Sequence, residues 1–193
     1  MKVKEQAASY KVKRIKYTYQ DYLNLPDDGK RYELINGELV MTPAPNTIHQ
    51  NIIVKMIYEI ERFLQQQKIG KLFCAPTDVK FNDTNILQPD IVFISKERSG
   101  VITENIINGA PDLIIEILSP GTAYYDLIEK KEIYEQYGVK EYWIVDPKKN
   151  RVDIYQNIDQ RFELNQRLDV EGIAKSLVIE GFEVSLTDIF SMD

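Results

Sequence analysis

The apolar residues of this chain recur with two different periods, and the switches between those periods mark its elements. From about His49 to Gln67, the residues Ile53, Met56, Ile57, Ile60, Phe63 and Leu64 fall three and four apart, which predicts one long amphipathic helix with Gly70 just past its end. Before it, Arg31-Tyr32-Glu33-Leu34-Ile35 and Glu38-Leu39-Val40 flank Asn36-Gly37, a pair that favours the tight turn of a β-hairpin. Further upstream, Thr18 and Asp21 form a capping-box pattern opening a short helix, with Tyr22, Leu23 and Leu25 as its apolar face and Pro26 as its stop. Three strands are predicted after the long helix, Lys71 to Phe81, Asp90 to Ser95 and Leu113 to Leu118, separated by Asn82-Asp83 and by Asn108-Gly109 with Pro111. Residues 124 to 137 read as a second helix ended by Gly138, and Tyr142 to Val145 as a buried strand stopped by Asp146-Pro147. Arg151 to Tyr155 and Phe162 to Arg167 then form a hairpin with a C-terminal tail. The order predicts an α/β fold: a mixed central sheet flanked by helices, with extra N- and C-terminal hairpins.

Against that pattern two carboxylates stand out. Leu113-Ile114-Ile115-Glu116-Ile117-Leu118 has the continuous apolar character of a strand covered on both faces, and an acid there is costly to bury without a cationic partner. Two readings are open for Glu116, a buried ion pair and a metal ligand. Gln88-Pro89-Asp90 places a second carboxylate at the start of the preceding strand. If the two strands are neighbours, Asp90 and Glu116 reach one point at the sheet's edge, and two hard oxygen ligands with open positions suit Mg²⁺ or Mn²⁺. Asp126, Lys130 and Tyr134 fall at i, i+4 and i+8 and share one helix face, so Lys130 is either paired with Asp126 at the surface or aimed at the carboxylates. In the second case it could hold a phosphate and stabilise developing charge. Lys131 points about 100° away on a helical wheel. Tyr134, Tyr142 and Trp143 lie in apolar periodic segments and are expected in the core.

Size and charge narrow the class. With 193 residues, 44% of them hydrophobic, the chain is expected to form one domain over residues 17–193. The lone Cys74 excludes an internal disulfide. With no signal-peptide pattern and no apolar run long enough to cross a bilayer, the chain is expected to be soluble and cytoplasmic, with no membrane partner. The net charge is −6, yet residues 1 to 17 carry six basic side chains against Glu5 alone, leaving 18 basic and 29 acidic side chains, a net −11, in the remainder. Residues 1–16 therefore read as a basic arm, either phosphate-contacting or simply solvated.

At these residues the chain resembles the Uma2 family of restriction-endonuclease-like proteins, in the PD-(D/E)XK nuclease superfamily. The resemblance runs from about Tyr17 to Tyr155 through "YTYQDYLNLP", "RYELINGELV", "PNTIHQNI", "QPDIVFI", "DLIIEILSP" and "YDLIEKKEIYEQYGVKEYWIVDP". It implies a restriction-endonuclease-like core, DNA as partner, Mg²⁺ or Mn²⁺ as cofactor and a homodimer. It also implies that Asp90, Glu116 and the carbonyl of Ile117 bind the metal. The superfamily's lysine two residues after the acid is replaced here by Leu118, and the resemblance moves that role to Lys130. An N-terminal acid, Glu38 ahead of Glu33, is expected to complete the shell, and the sole histidine, His49, has either a general-base or a helix-start role. The competing reading is a nuclease-like fold kept as a binding or assembly module, with the acids and Lys130 as an ion-pair network.

Overall fold

A computed structural model describes residues 16–119, 121 and 125–191. The basic arm up to residue 15 and the expected helix start at residue 124 lie outside the described residues. The chain opens with the short helix α1 (Tyr19–Leu23), where Thr18 N–H donates to Asp21 Oδ2 at 2.8 Å and Asp21 N–H donates back to Thr18 Oγ1 at 3.4 Å. Five residues are too few for a full apolar face. Tyr22 and Leu25 turn inward while Leu23 is exposed, unlike the expected face.

The hairpin follows as β1 (Arg31–Ile35) and β2 (Glu38–Thr42) around Asn36-Gly37, whose positive φ angles of 51° and 80° suit the tight turn. Next comes α2 (Thr47–Gln67), opening two residues before the predicted start because Asn46 Oδ1 caps the N–H of His49 at 2.9 Å. It closes on Lys68 in a left-handed conformation.

The single strand expected over Lys71 to Phe81 is two strands in different sheets. Pro76, which has no N–H for a ladder, separates β3 (Gly70–Cys74) from β4 (Val79–Asn82). After the Asn82-Asp83 turn comes β5 (Asn85–Leu87), too short to show a period of its own. Then follow β6 (Ile91–Ser95), a 3₁₀ turn at Lys96–Val101, β7 (Ile107–Asn108) and β8 (Leu113–Ile117). The second predicted helix is a π-helical segment, Tyr125–Glu129, running into α3 (Lys130–Gln136). The chain ends with β9 (Glu141–Asp146), β10 (Arg151–Ile158), β11 (Arg161–Asp169), β12 (Ile173–Lys175), β13 (Glu183–Ser185) and α4 (Leu186–Phe190). The expected tail is therefore structured, because Ile179, Phe182, Val184, Leu186 and Ile189 are buried in the core.

The central sheet has the order β11-β10-β9-β8-β6-β3, with β8 and β9 parallel and the other pairs antiparallel, so the sheet is mixed. The strand period of two decides what each face meets. Leu113, Ile115 and Ile117 of β8 pack with Ile52, Met56 and Ile60 of α2 and with the C-terminal elements. Ile114 faces the other way, with Leu87, Ile35, Tyr134 and Tyr142. That second face is covered by α3 and by a smaller sheet ordered β2-β1-β5-β4-β7. By the same alternation Glu116 points into the layer between the two sheets, away from α2. No helix of the described residues is long and apolar enough to cross a membrane.

Candidate active site

Asp90 and Glu116 come together because β6 and β8 are neighbours, as the sequence reading required. The antiparallel register Ile91↔Ile115 sets Asp90 opposite Glu116. The backbone N–H of Asp90 donates to Glu116 Oε2 at 3.2 Å, and the N–H of Ile117 donates to Asp90 Oδ2 at 2.8 Å. Each carboxylate is thus held by the other strand's backbone.

Lys130 enters from the first turn of α3. Its Nζ lies 3.3 Å from Glu116 Oε1, 3.0 Å from Glu33 Oε1 and 3.3 Å from Asp126 Oδ1. The expected convergence of Asp126, Lys130 and Tyr134 holds even though the segment carrying Asp126 is π-wound, and their grouping is buried rather than a surface pair. Tyr134 is in the core as expected, yet its hydroxyl donates to Glu116 Oε1 at 2.7 Å. Lys131 turns away and lies 3.7 Å above the Tyr155 ring.

Of the two N-terminal acids the structure brings Glu33 into the cluster, and Glu38, the one favoured from sequence, stands exposed at the start of β2. The two lie on different strands of the hairpin, and only the packing of the hairpin decides which points inward. Glu33 accepts from the N–H of Gln88 at 2.7 Å and from Thr42 Oγ1 at 3.4 Å. His49, in the first turn of α2, sets Nε2 3.1 Å from Asp90 Oδ2, so it touches the site as well as starting the helix. An ionised carboxylate only accepts, and against it Nε2 would carry the hydrogen. His49 Nδ1 is buried with no hydrogen-bond partner among the described residues.

Among the described residues, charge is unbalanced here. Glu33, Glu116 and Asp126 are buried with Lys130 as their shared cation, and Asp90 sits beside them. Burial pushes the Glu116 carboxyl well above its ordinary range; the Lys130 charge opposes this, while Asp126, Asp90 and Glu33 push it further up. Burial pulls against the Lys130 ammonium, but Glu116, Glu33 and Asp126 outweigh it and hold its pKa well above the ordinary value. One lysine cannot neutralise this many carboxylates, so a proton or a further cation must supply the rest.

The acids open on a pocket of about 30 Å³, room for one water-sized occupant, lined also by Arg31, Thr42, Pro43, Pro45, Gln88 and Ser119. None of these six was singled out from sequence. Arg31 alone carried a signal, two residues from Glu33 on the same strand face. Among the described residues no three acid, histidine or cysteine side chains form a metal shell by themselves. The donor set is a pair of carboxylates with excess negative charge, which fits a hard divalent cation that keeps several waters.

A sequence profile described as "Uma2: Putative restriction endonuclease" matches residues 19–187. The chain belongs to the Uma2 family. Its fold is shared by a crystal structure from Anabaena variabilis ATCC 29413 described as "a putative nuclease belonging to DUF820", with a TM-score of 0.73, 24% identity and coverage of 90% of this chain and 97% of that one. Among curated proteins nothing matches. In this Uma2 member Asp90, Glu116 and Lys130, the last from the following helix, form one contiguous arrangement.

Proposed function

We propose that this chain is a divalent-metal-dependent endonuclease that hydrolyses DNA phosphodiester bonds. The observation that carries this reading is the pair Asp90 and Glu116, held side by side at one pocket that has more acidic charge than Lys130 can balance. Asp90, Glu116 and the carbonyl of Ile117 would hold Mg²⁺ or Mn²⁺. When bound, the ion supplies Lewis-acid polarisation of the phosphate and lowers the pKa of water. Lys130 opposes the protonation of Glu116 that burial favours, and it adds positive charge at the site as negative charge develops on the phosphate. His49 and the N–H of Ile117 fix the Asp90 carboxylate, and Tyr134 fixes Glu116. In this reading a homodimer would place one such site on each DNA strand.

A second reading, an ion-pair network in a binding module, is favoured by the three contacts of Lys130 to acids. One assay separates the two. Supercoiled plasmid incubated with the protein and Mg²⁺ or Mn²⁺ should be nicked by wild type and left intact by Glu116→Gln. Equal inertness of both proteins across substrates would remove the nuclease reading.

A further inference from the structure

We propose that Arg31 is the phosphate-docking residue of this site, a guanidinium at the pocket mouth that binds the phosphodiester backbone of a nucleic acid. The inference deepens the nuclease reading and rests on it.

The strand pleat places Arg31 and Glu33, two residues apart on β1, on one side of the hairpin. Glu33 is buried against Lys130, which lines the pocket, while Arg31 lines that pocket at its accessible rim, across from Thr42. The guanidinium makes one long hydrogen bond, from Nη2 to the carbonyl of Pro43 at 3.5 Å, and no ion pair among the described residues. An arginine carries five N–H donors, so its fork is left free to meet an anion.

The other basic groups of the pocket are committed. Lys130 is buried and paired with three acids, and His49 is bonded to Asp90. Space reinforces the point, because a pocket of about 30 Å³ is too small to enclose a phosphate together with its flanking sugars. The phosphodiester is therefore met at the rim, with its reacting oxygens toward the floor and its negative charge opposed by the acids there. Arg31 is the pocket-lining cation placed to offset that repulsion. The planar fork suits a phosphate's paired oxygens, which a lysine would meet only as a point charge.

The test uses the full chain with Arg31→Ala, Arg31→Lys and, as a remote control, Arg62→Ala on the exposed side of α2. Anisotropy of a short fluorescein-labelled DNA duplex in Ca²⁺ gives affinity at several salt concentrations, and cleavage is followed separately in Mg²⁺. For Arg31→Ala, affinity should fall about tenfold or more, as expected for a lost charged hydrogen bond. The slope of log affinity against log salt should shrink by about 1. Arg31→Lys should keep the slope and lose part of the affinity, and Arg62→Ala should match wild type. If Arg31→Ala binds and cuts like an active wild type, the Arg31 assignment is overturned and the nuclease reading stands. If wild type binds the duplex through Arg31 and never cuts it, the nuclease reading fails and the docking role survives. A wild type that neither binds nor cuts overturns both.

Discussion

Lys130 Nζ lies 3.3 Å from Glu116 Oε1, with both side chains almost fully buried, and this pair sets the electrostatics of the site. The lysine is not a partner of Glu116 alone, since Glu33 is nearer, at 3.0 Å. Its charge is the common counterweight to several acids, so the two members of the pair are not equivalent. Removing an acid relieves an excess, whereas removing the lysine exposes it.

Stability should therefore respond unequally. Glu116→Gln leaves Lys130 paired with Glu33 and Asp126, and the expected change is within about 1 kcal/mol of wild type, because exchanging a buried charge for a neutral group of similar shape is often near neutral. Lys130→Met leaves buried carboxylates uncompensated and should cost about 3–5 kcal/mol. Urea unfolding of both variants checks this. A larger loss for Glu116→Gln than for Lys130→Met would mean that the lysine is not the limiting charge.

A divalent cation bound by Asp90 and Glu116 should raise the folded protein's stability by mass action, by about 2.7 kcal/mol at one hundred times its Kd. Thermal melts with and without Mn²⁺ should show a rise in Tm for wild type, none for Asp90→Ala, and the largest rise for Lys130→Met, where the uncompensated acids attract the ion most. A rise of equal size in Asp90→Ala would place the bound ion elsewhere.

Glu33 and Glu38 give a cleaner functional contrast. Glu33 touches Lys130, Thr42 and the N–H of Gln88, whereas Glu38 is exposed. Glu33→Gln should lower cleavage about tenfold to a hundredfold, the usual range for a group that orients metal ligands. Glu38→Gln should leave the rate unchanged. Initial rates of plasmid nicking decide it, and a Glu38→Gln loss equal to that of Glu33→Gln would refute the placement of Glu33 at the site.

The parts of this architecture set by short-range pattern were legible in the residues themselves. The Asn36-Gly37 turn, the apolar stripe of α2 and the buried run around Glu116 each announce their element, because turn chemistry and burial period are local properties. What stayed hidden depends on distant packing. Pro76 divides one apolar run between two sheets, β5 has only three residues, and the segment after Arg167 reaches the core through isolated apolar positions such as Ile179 and Phe182. The choice between Glu33 and Glu38 rests on which side of the hairpin meets the central sheet. Arg31 is visible as a neighbour of the acid site only once that side is known.

Asp112, at the entry to β8 and remote from the acid cluster, provides the pH test of the fold. It is fully buried, with Oδ2 accepting from the N–H of Ser95 at 2.8 Å and Oδ1 lying 2.7 Å from Lys140 Nζ and 3.8 Å from Arg98 Nη1. Burial alone would raise its pKa, but the Lys140 and Ser95 hydrogen bonds together outweigh burial and hold the carboxyl below its ordinary 3.8. A lowered folded pKa means that the folded state binds its proton less readily than the unfolded chain, so the stabilisation is present above about 3.8 and is lost as pH falls through the folded value. Asp112→Asn, which removes the charge at every pH, should cost about 2 kcal/mol near neutrality, the scale of a lost charged hydrogen bond. The gap between wild type and variant, followed by urea unfolding from pH 7 downward, should stay constant to about pH 5 and then close in more acidic buffer. A gap that widened on acidification would reverse the sign and show that burial, rather than Lys140 and Ser95, controls this carboxylate.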